Sequence, residues 1–187
     1  MRPFALETLT PGRWRNGGGV TREIASRPAG AEEFQWRASI ADIDRDGPFS
    51  AFGGVDRTFT LLSGRGVRLS CPGVLDRLLE RAGEPFAFSG DLELSAELSG
   101  GSCRVLNVMV RRGRWAARVE RVTDRVVPRS GHAGVLLALR GSWQAGRDAV
   151  GPGGGVWWDA GDDAVRAGLT PLSPDASALW ADLAPTG

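Results

Sequence analysis

Glycine and proline interrupt this chain so often that long helices have no room. The 187 residues hold 27 glycines and 11 prolines, and both types break helix interiors, glycine through lost backbone entropy and proline through steric clash. Between the breaks lie short runs with a period of two. Trp36 to Ile43 puts Trp36, Ala38 and Ile40 on one face and Arg37, Ser39 and Ala41 on the other, as a strand with one packed side requires. Residues 58–62 and 67–71 flank Ser63-Gly64-Arg65-Gly66, which predicts a β-hairpin, and residues 134–139 and 142–145 repeat the arrangement around Arg140-Gly141. Helical spacing predicts two helices only: 74–81, from Leu75, Leu78 and Leu79, and the tail 173–183 behind a Ser173-Pro174-Asp175 cap.

The two halves echo each other. Phe86-Ala87-Phe88-Ser89-Gly90-Asp91 is matched by Trp157-Trp158-Asp159-Ala160-Gly161-Asp162, with two aromatics ahead of a Gly-Asp turn in each. Two copies of one β-module are therefore expected. Many short strands and glycine-rich turns predict an all-β closed or sandwiched architecture, because closure removes exposed sheet edges.

Composition removes several function classes. With 23 basic residues against 22 acidic ones the net charge is +1, so no global field favours nucleic acid or an anionic membrane surface, and neither is expected as a partner. The start, Met1-Arg2-Pro3-Phe4, opens no apolar run, and nowhere are there about 18 consecutive apolar residues, the minimum for a spanning helix. A cytoplasmic location is expected. Cys71 and Cys103 lack CxxC spacing and read as two reduced, buried thiols.

The densest polar motif is Trp14-Arg15-Asn16-Gly17-Gly18-Gly19-Val20-Thr21-Arg22-Glu23-Ile24. An ordered glycine triplet marks a tight turn or a close backbone approach, and the residues after it alternate as a half-buried strand does. A flexible solvent loop is the other reading. No phosphate loop is present, since that motif needs a lysine and the chain has none; no GxSxG elbow occurs either. His132, the one histidine, reads as an exposed turn residue and falls short of both a metal site and a catalytic triad, so neither metal nor cofactor is expected.

What the sequence offers is a set of donors for an organic anion. Arginine guanidinium forks match carboxylates bidentately, and Arg22, Arg37, Arg57, Arg111 and Arg112 supply them, with Asn16, Thr21, Ser39 and Asn107 for carbonyl or hydroxyl groups. Strand parity limits which can converge. Arg37 shares a face with Ser39, and Arg111, rather than Arg112, shares one with Asn107 and Met109. Met109 reads as core, Phe49 and Phe52 as plugs of a barrel, Asp56-Arg57 as a local ion pair, and Glu23 as the partner of an arginine.

Taken together, residues 14–25, Trp36-Arg37-Ala38-Ser39-Ile40-Ala41, Gly47-Pro48-Phe49-Ser50-Ala51-Phe52-Gly53-Gly54-Val55-Asp56-Arg57 and Asn107-Val108-Met109-Val110-Arg111-Arg112 resemble the HutD/Ves family over most of the first two-thirds. The resemblance implies an RmlC-like bicupin, a double-stranded β-helix or jelly roll with two β-modules and few short helices. Its N-terminal module, 1–112, would carry the polar blocks and pack closely on a C-terminal cupin-like module, 113–187. It also implies a regulator or metabolite buffer linked to bacterial histidine utilisation that binds a small carboxylate such as formylglutamate, with room for a homodimer. One departure is Val105, where the resemblance leads us to expect an acidic residue. The expected ligand-binding set is Asn16, Thr21, Arg37, Ser39, Arg57, Asn107 and Arg111, with no catalytic residue. Two rival readings are a metal-independent isomerase or hydrolase using Glu23 or Asp56, and a protein-interaction module docking through residues 150–156 and tryptophans 157 and 158.

Overall fold

The computed structural model describes residues 1–162 and 168–187. Its first strands are β1 (Arg2–Ala5), β2 (Pro11–Arg13), β3 (Gly19–Arg27), β4 (Trp36–Ile43), β5 (Gly47–Phe49) and β6 (Val55–Ser63). There follow β7 (Val67–Cys71), β8 (Leu75–Leu79), β9 (Pro85–Ser89), β10 (Leu94–Leu98), β11 (Cys103–Arg111) and β12 (Trp115–Val122). The last are β13 (Ala133–Arg140), β14 (Trp143–Ala145), β15 (Asp148–Val150), β16 (Gly154–Trp158), β17 (Leu169–Pro171) and β18 (Ser177–Pro185). Among the described residues the only helical element is a single 3-10 turn, Leu6–Thr8. Among the described residues no helix is long and apolar enough to cross a membrane.

Contacts divide the chain into Thr10–Arg112 and a unit made of Met1–Leu9 with Gly113–Gly187. The expected first module, 1–112, thus loses its first nine residues to the second, because β1 pairs with β16, Arg2 opposite Trp157 and Ala5 opposite Gly154. Within Thr10–Arg112, a six-stranded sheet ordered β2-β3-β4-β11-β6-β9 and a four-stranded one ordered β5-β10-β7-β8 enclose a core of Phe59, Leu61, Leu69, Leu94 and Val105. In the other unit, sheets ordered β1-β16-β13-β18-β12 and β15-β14-β17 enclose Leu136, Trp143, Trp158, Leu169 and Trp180.

One topology is used twice. The neighbours β4-β11-β6-β9 facing β10-β7-β8 recur as β12-β18-β13-β16 facing β17-β14-β15. This is the all-β architecture of two repeated modules that the sequence echo predicts, and the jelly roll that the family resemblance implies.

Four local expectations need correction. The segments around Ser63–Gly66 and Arg140-Gly141 are not hairpins: β6 and β7 lie in different sheets, as do β13 and β14. Each connection turns a corner of the sandwich. Gly64 (φ +107°) and Gly141 (φ +60°) occupy left-handed backbone there, and a Cβ on Gly64 would come within 2.6 Å of the Cys103 side chain. The predicted helix 74–81 is instead the edge strand β8, folded back on β7 with Leu75 opposite Cys71 and Leu79 opposite Val67. Three leucines over so short a run cannot separate the two periods, and Gly73 (φ +71°) supplies the reversal. The predicted helix 173–183 gives way to β18, a central strand between β13 and β12 whose apolar residues are buried on both faces. A two-sided apolar strand has no alternation to read, and its alanines and leucines favour a helix locally until tertiary pairing overrides them.

A three-strand ion cluster braces the six-stranded sheet. Asp42 on β4 accepts from Arg22 Nη1 on β3 at 2.7 Å and from Arg104 Nε on β11 at 2.6 Å. Partial burial pushes the Asp42 carboxyl pKa up, but the hydrogen bonds from Arg104 and Arg22 outweigh burial and leave it below the usual value. Since the folded pKa is the lower one, this contribution is present above the unfolded value, near 4, and fades as pH falls through the folded one. Asp42→Asn should cost about 1–2 kcal/mol in urea unfolding at neutral pH, and the gap from the parent protein should narrow below about pH 4. Packing gives a second prediction. A Cβ on Gly134 would run into the Trp158 ring, whereas one on Gly151 meets nothing within 4 Å. Gly134→Ala should therefore lower stability by about 1–3 kcal/mol, and Gly151→Ala should leave the melting temperature nearly unchanged.

Candidate functional site

The glycine triplet builds one rim of a cavity. Its loop joins β2 to β3 and is closed by hydrogen bonds from Trp14 N to Gly19 O and from Gly17 N to Trp14 O, both 3.0 Å. Gly17 takes φ +68°, and a Cβ on Gly19 would collide with the Asp42 carbonyl oxygen. The loop is thus a fixed turn and a close backbone approach at Gly18 and Gly19, with Arg15, Asn16 and Gly17 exposed at its tip. Trp14 Nε1 donates to Thr21 Oγ1 at 2.7 Å, and Asn16 Oδ1 accepts from Gly18 N at 2.9 Å within the loop.

The cavity has a volume of about 430 Å³, within the range of small-molecule sites. Six of the seven expected residues line it: Asn16, Thr21, Arg37, Ser39, Arg57 and Asn107. The register explains the convergence, because Ser39 lies opposite Glu23 on β3 and Asn107 on β11, while Arg57 on β6 lies opposite Met109. Arg111 is the exception. It has the expected parity, but it ends β11 opposite Val55, and its Nη1 donates to Gly53 O at 2.9 Å, outside the lining.

Arg57 is the centre of the site. It is only 4% exposed, and among the described residues no carboxylate touches it. Its Nη1 donates to Ser50 O at 3.1 Å, and Nε and Nη2 reach Asn107 Oδ1 over long contacts of 3.4 and 3.5 Å. Three phenyl faces hold the guanidinium carbon at 5.2 Å (Phe49), 5.3 Å (Phe52) and 5.2 Å (Phe88), each a cation–π contact. Burial pulls its pKa down to about 10, with the charge of Arg37 adding to the shift. Arg57 still carries its proton at neutral pH. The local Asp56-Arg57 pair does not form, because adjacent strand residues point to opposite faces; Asp56 instead pairs with Arg112 at 2.8 Å.

Arg37 is the second inward cation. Glu23 Oε2 stands 2.9 Å from its Nε, an ion pair in which the N–H is not aligned as a hydrogen bond. Glu23 also accepts from Ser26 Oγ at 2.8 Å. Glu23 is thus the arginine partner that the sequence suggests, and neither it nor Asp56 lines the cavity. Val105 sits in the apolar core between Ala41 and Leu61, so β11 sends no carboxylate toward Arg57 at that position.

Sequence reasoning missed Arg13, Arg15, Ser50 and Phe59, and read Met109 as core only, whereas all five line the cavity. Strand parity gives no signal for the two arginines, since Arg13 ends β2 and Arg15 lies in the turn after it, both exposed at the rim. Phe49 and Phe52, expected as plugs, line the cavity and cage Arg57.

Cupin-like folds often carry a divalent metal. Here the lining has four arginines and no histidine, cysteine, aspartate or glutamate, a donor set that repels a divalent cation and offers it no ligand. Metal does not fit this cavity. His132 belongs to the other unit and is not the exposed turn residue expected: it is partly buried, with Nδ1 2.9 Å from Asp182 Oδ1. The two thiols are unpaired, Cys103 buried with its pKa raised by burial to about 11, and Cys71 only half-buried rather than buried as expected. The tryptophan docking face does not exist as such, since Trp158 is fully buried and Trp157 lies under the Arg2 guanidinium at 4.4 Å.

Comparison with known proteins places the sequence and the fold. The HutD family profile matches residues 6–173. Protein Ves of Citrobacter koseri is 38% identical over 185 residues, covering 98% of this chain and 94% of that protein. Protein Ves of Cronobacter sakazakii is 38% identical over 169 residues, covering 89% and 91%. The solved HutD of Pseudomonas fluorescens SBW25 superposes with a TM-score of 0.83 at 27% identity, over 99% of this chain and 98% of that one. At 10% identity, a cupin 2 conserved barrel domain protein from Leptotrichia buccalis has a TM-score of 0.59 over 98% and 96%, which carries the cupin fold alone. By sequence match along nearly its full length and by fold, the chain belongs to the HutD/Ves family.

Proposed function

We propose that this protein binds a small carboxylate metabolite in the cavity of its Thr10–Arg112 unit and acts as a sensor or buffer in histidine utilisation, without chemical turnover. One observation carries the reading: Arg57 holds a desolvated positive charge at the cavity wall, and among the described residues no carboxylate compensates it. An uncompensated buried charge is costly, and an incoming anion that accepts its donors relieves that cost. Arg37, Asn107 and Ser39 stand around the same space and supply further donors. The solved HutD of Pseudomonas fluorescens SBW25 is a formate-condition structure, and formate is the smallest carboxylate. The absence of an acidic or imidazole side chain from the lining favours binding over acid–base catalysis.

Calorimetric titration with formate, formylglutamate, glutamate and urocanate, followed by recovery of each compound, tests the proposal. Saturable binding with the compound recovered intact is expected; conversion of any of them would make the protein an enzyme instead. Arg57→Met should weaken binding about 30-fold or more, the scale of a lost charge-assisted contact, while the melting temperature holds or rises, because a buried unpaired charge has been replaced by an apolar chain of similar length. Arg111→Ala, outside the lining, should bind as the parent does. Unchanged affinity in Arg57→Met would overturn the site.

A further inference from the structure

We infer that Phe49, braced by Trp14, sets the length of the acid this cavity accepts, by walling it off from a side chamber of about 110 Å³. The inference rests on the carboxylate reading above. The two spaces share Trp14, Asn16, Pro48 and Phe49 in their linings, so these residues form the partition between them. Trp14 and Phe49 meet edge to face, with centroids 5.7 Å apart and planes at 87°. On one side the Phe49 ring faces the Arg57 guanidinium. On the other lie Ile43, Ala96 and the backbone of Gly18 and Gly47.

The chamber's chemistry suits a methylene chain. Its two charged residues are already engaged by backbone: Arg45 Nη2 donates to Gly17 O at 2.8 Å, and Asp46 Oδ1 accepts from Leu98 N at 2.7 Å. What is left is largely apolar. At about 30 Å³ for each water-sized group, the chamber holds roughly three to four heavy atoms. A straight-chain aliphatic acid with its carboxylate at Arg57 would therefore be stopped at the Phe49 ring. With that ring removed, its tail would run on into the chamber, gaining about fourfold in affinity for each methylene buried.

The test is a titration series of straight-chain monocarboxylates from formate to octanoate on the whole protein. In the parent, affinity should peak at a short acid. In Phe49→Ala the peak should move to an acid about three carbons longer, with at least a tenfold gain for that acid relative to the short one. Because Phe49→Ala also removes a ring from Arg57, the readout is the preferred length and not absolute affinity. Phe52→Ala removes a similar ring contact from Arg57 but lines only the main cavity, so it should weaken all acids without moving the peak. Ala96→Leu, added to Phe49→Ala, fills the chamber from its far wall and should restore the short preference. If Phe49→Ala loses its cooperative melt, Phe49→Leu replaces it with a smaller expected shift. Acids that bind with an unmoved peak in a folded variant would overturn the partition alone. Silence of the parent toward every acid would overturn the carboxylate reading and the partition together.

Discussion

Burying a guanidinium without a carboxylate beside it is costly, and the Thr10–Arg112 unit is arranged around meeting that cost. Three phenyl rings lend their electron-rich faces to Arg57, and a carbonyl and an amide oxygen take its protons, two of them over long distances. Every strand that contributes does so by register. Met109 and Phe88 flank Arg57 in its own sheet, and Phe49 reaches over from β5 in the facing sheet. The result is a positive charge that is held in place but not neutralised.

The duplication explains where such a site can arise. Both units use the same seven-strand pairing, yet only the Thr10–Arg112 unit adds β2 and β3 beyond β4 and β5 beyond β10. Those additions bring Arg13, Thr21, Pro48 and Phe49 to the cavity, and the loop from β2 to β3 brings Trp14, Arg15 and Asn16. In the other unit, large indoles occupy the interior, with Trp158 and Trp180 centroids 5.1 Å apart. One copy of the module packs its core with tryptophan, and the other spends the same kind of interior on a pocket.

Much of this was legible in the residues. Alternation in Trp36–Ile43 placed Arg37 and Ser39 on the face that lines the cavity, and the aromatic echo placed β9 and β16 in equivalent positions. What failed was information that lies outside a local window. A glycine corner and a hairpin turn look alike in sequence, because both need positive φ, and only long-range pairing separates β6 from β7. The run in β18 is apolar on both faces, so no period could declare it a strand. Arg111 satisfied parity and still missed the site, since parity fixes a side chain's face but not how far along the strand the cavity extends.

The division of the strands between two sheets has a mechanical consequence. Arg57 and Asn107 belong to one hydrogen-bonded ladder and Pro48 and Phe49 to another, so the cavity straddles a seam that no backbone ladder crosses. Small separations of the two sheets can change its width without breaking a ladder bond. An anion seated between Arg57 and the Phe49 wall would act as a rivet across that seam, coupling two sheets whose motions are otherwise linked through side-chain packing and chain corners.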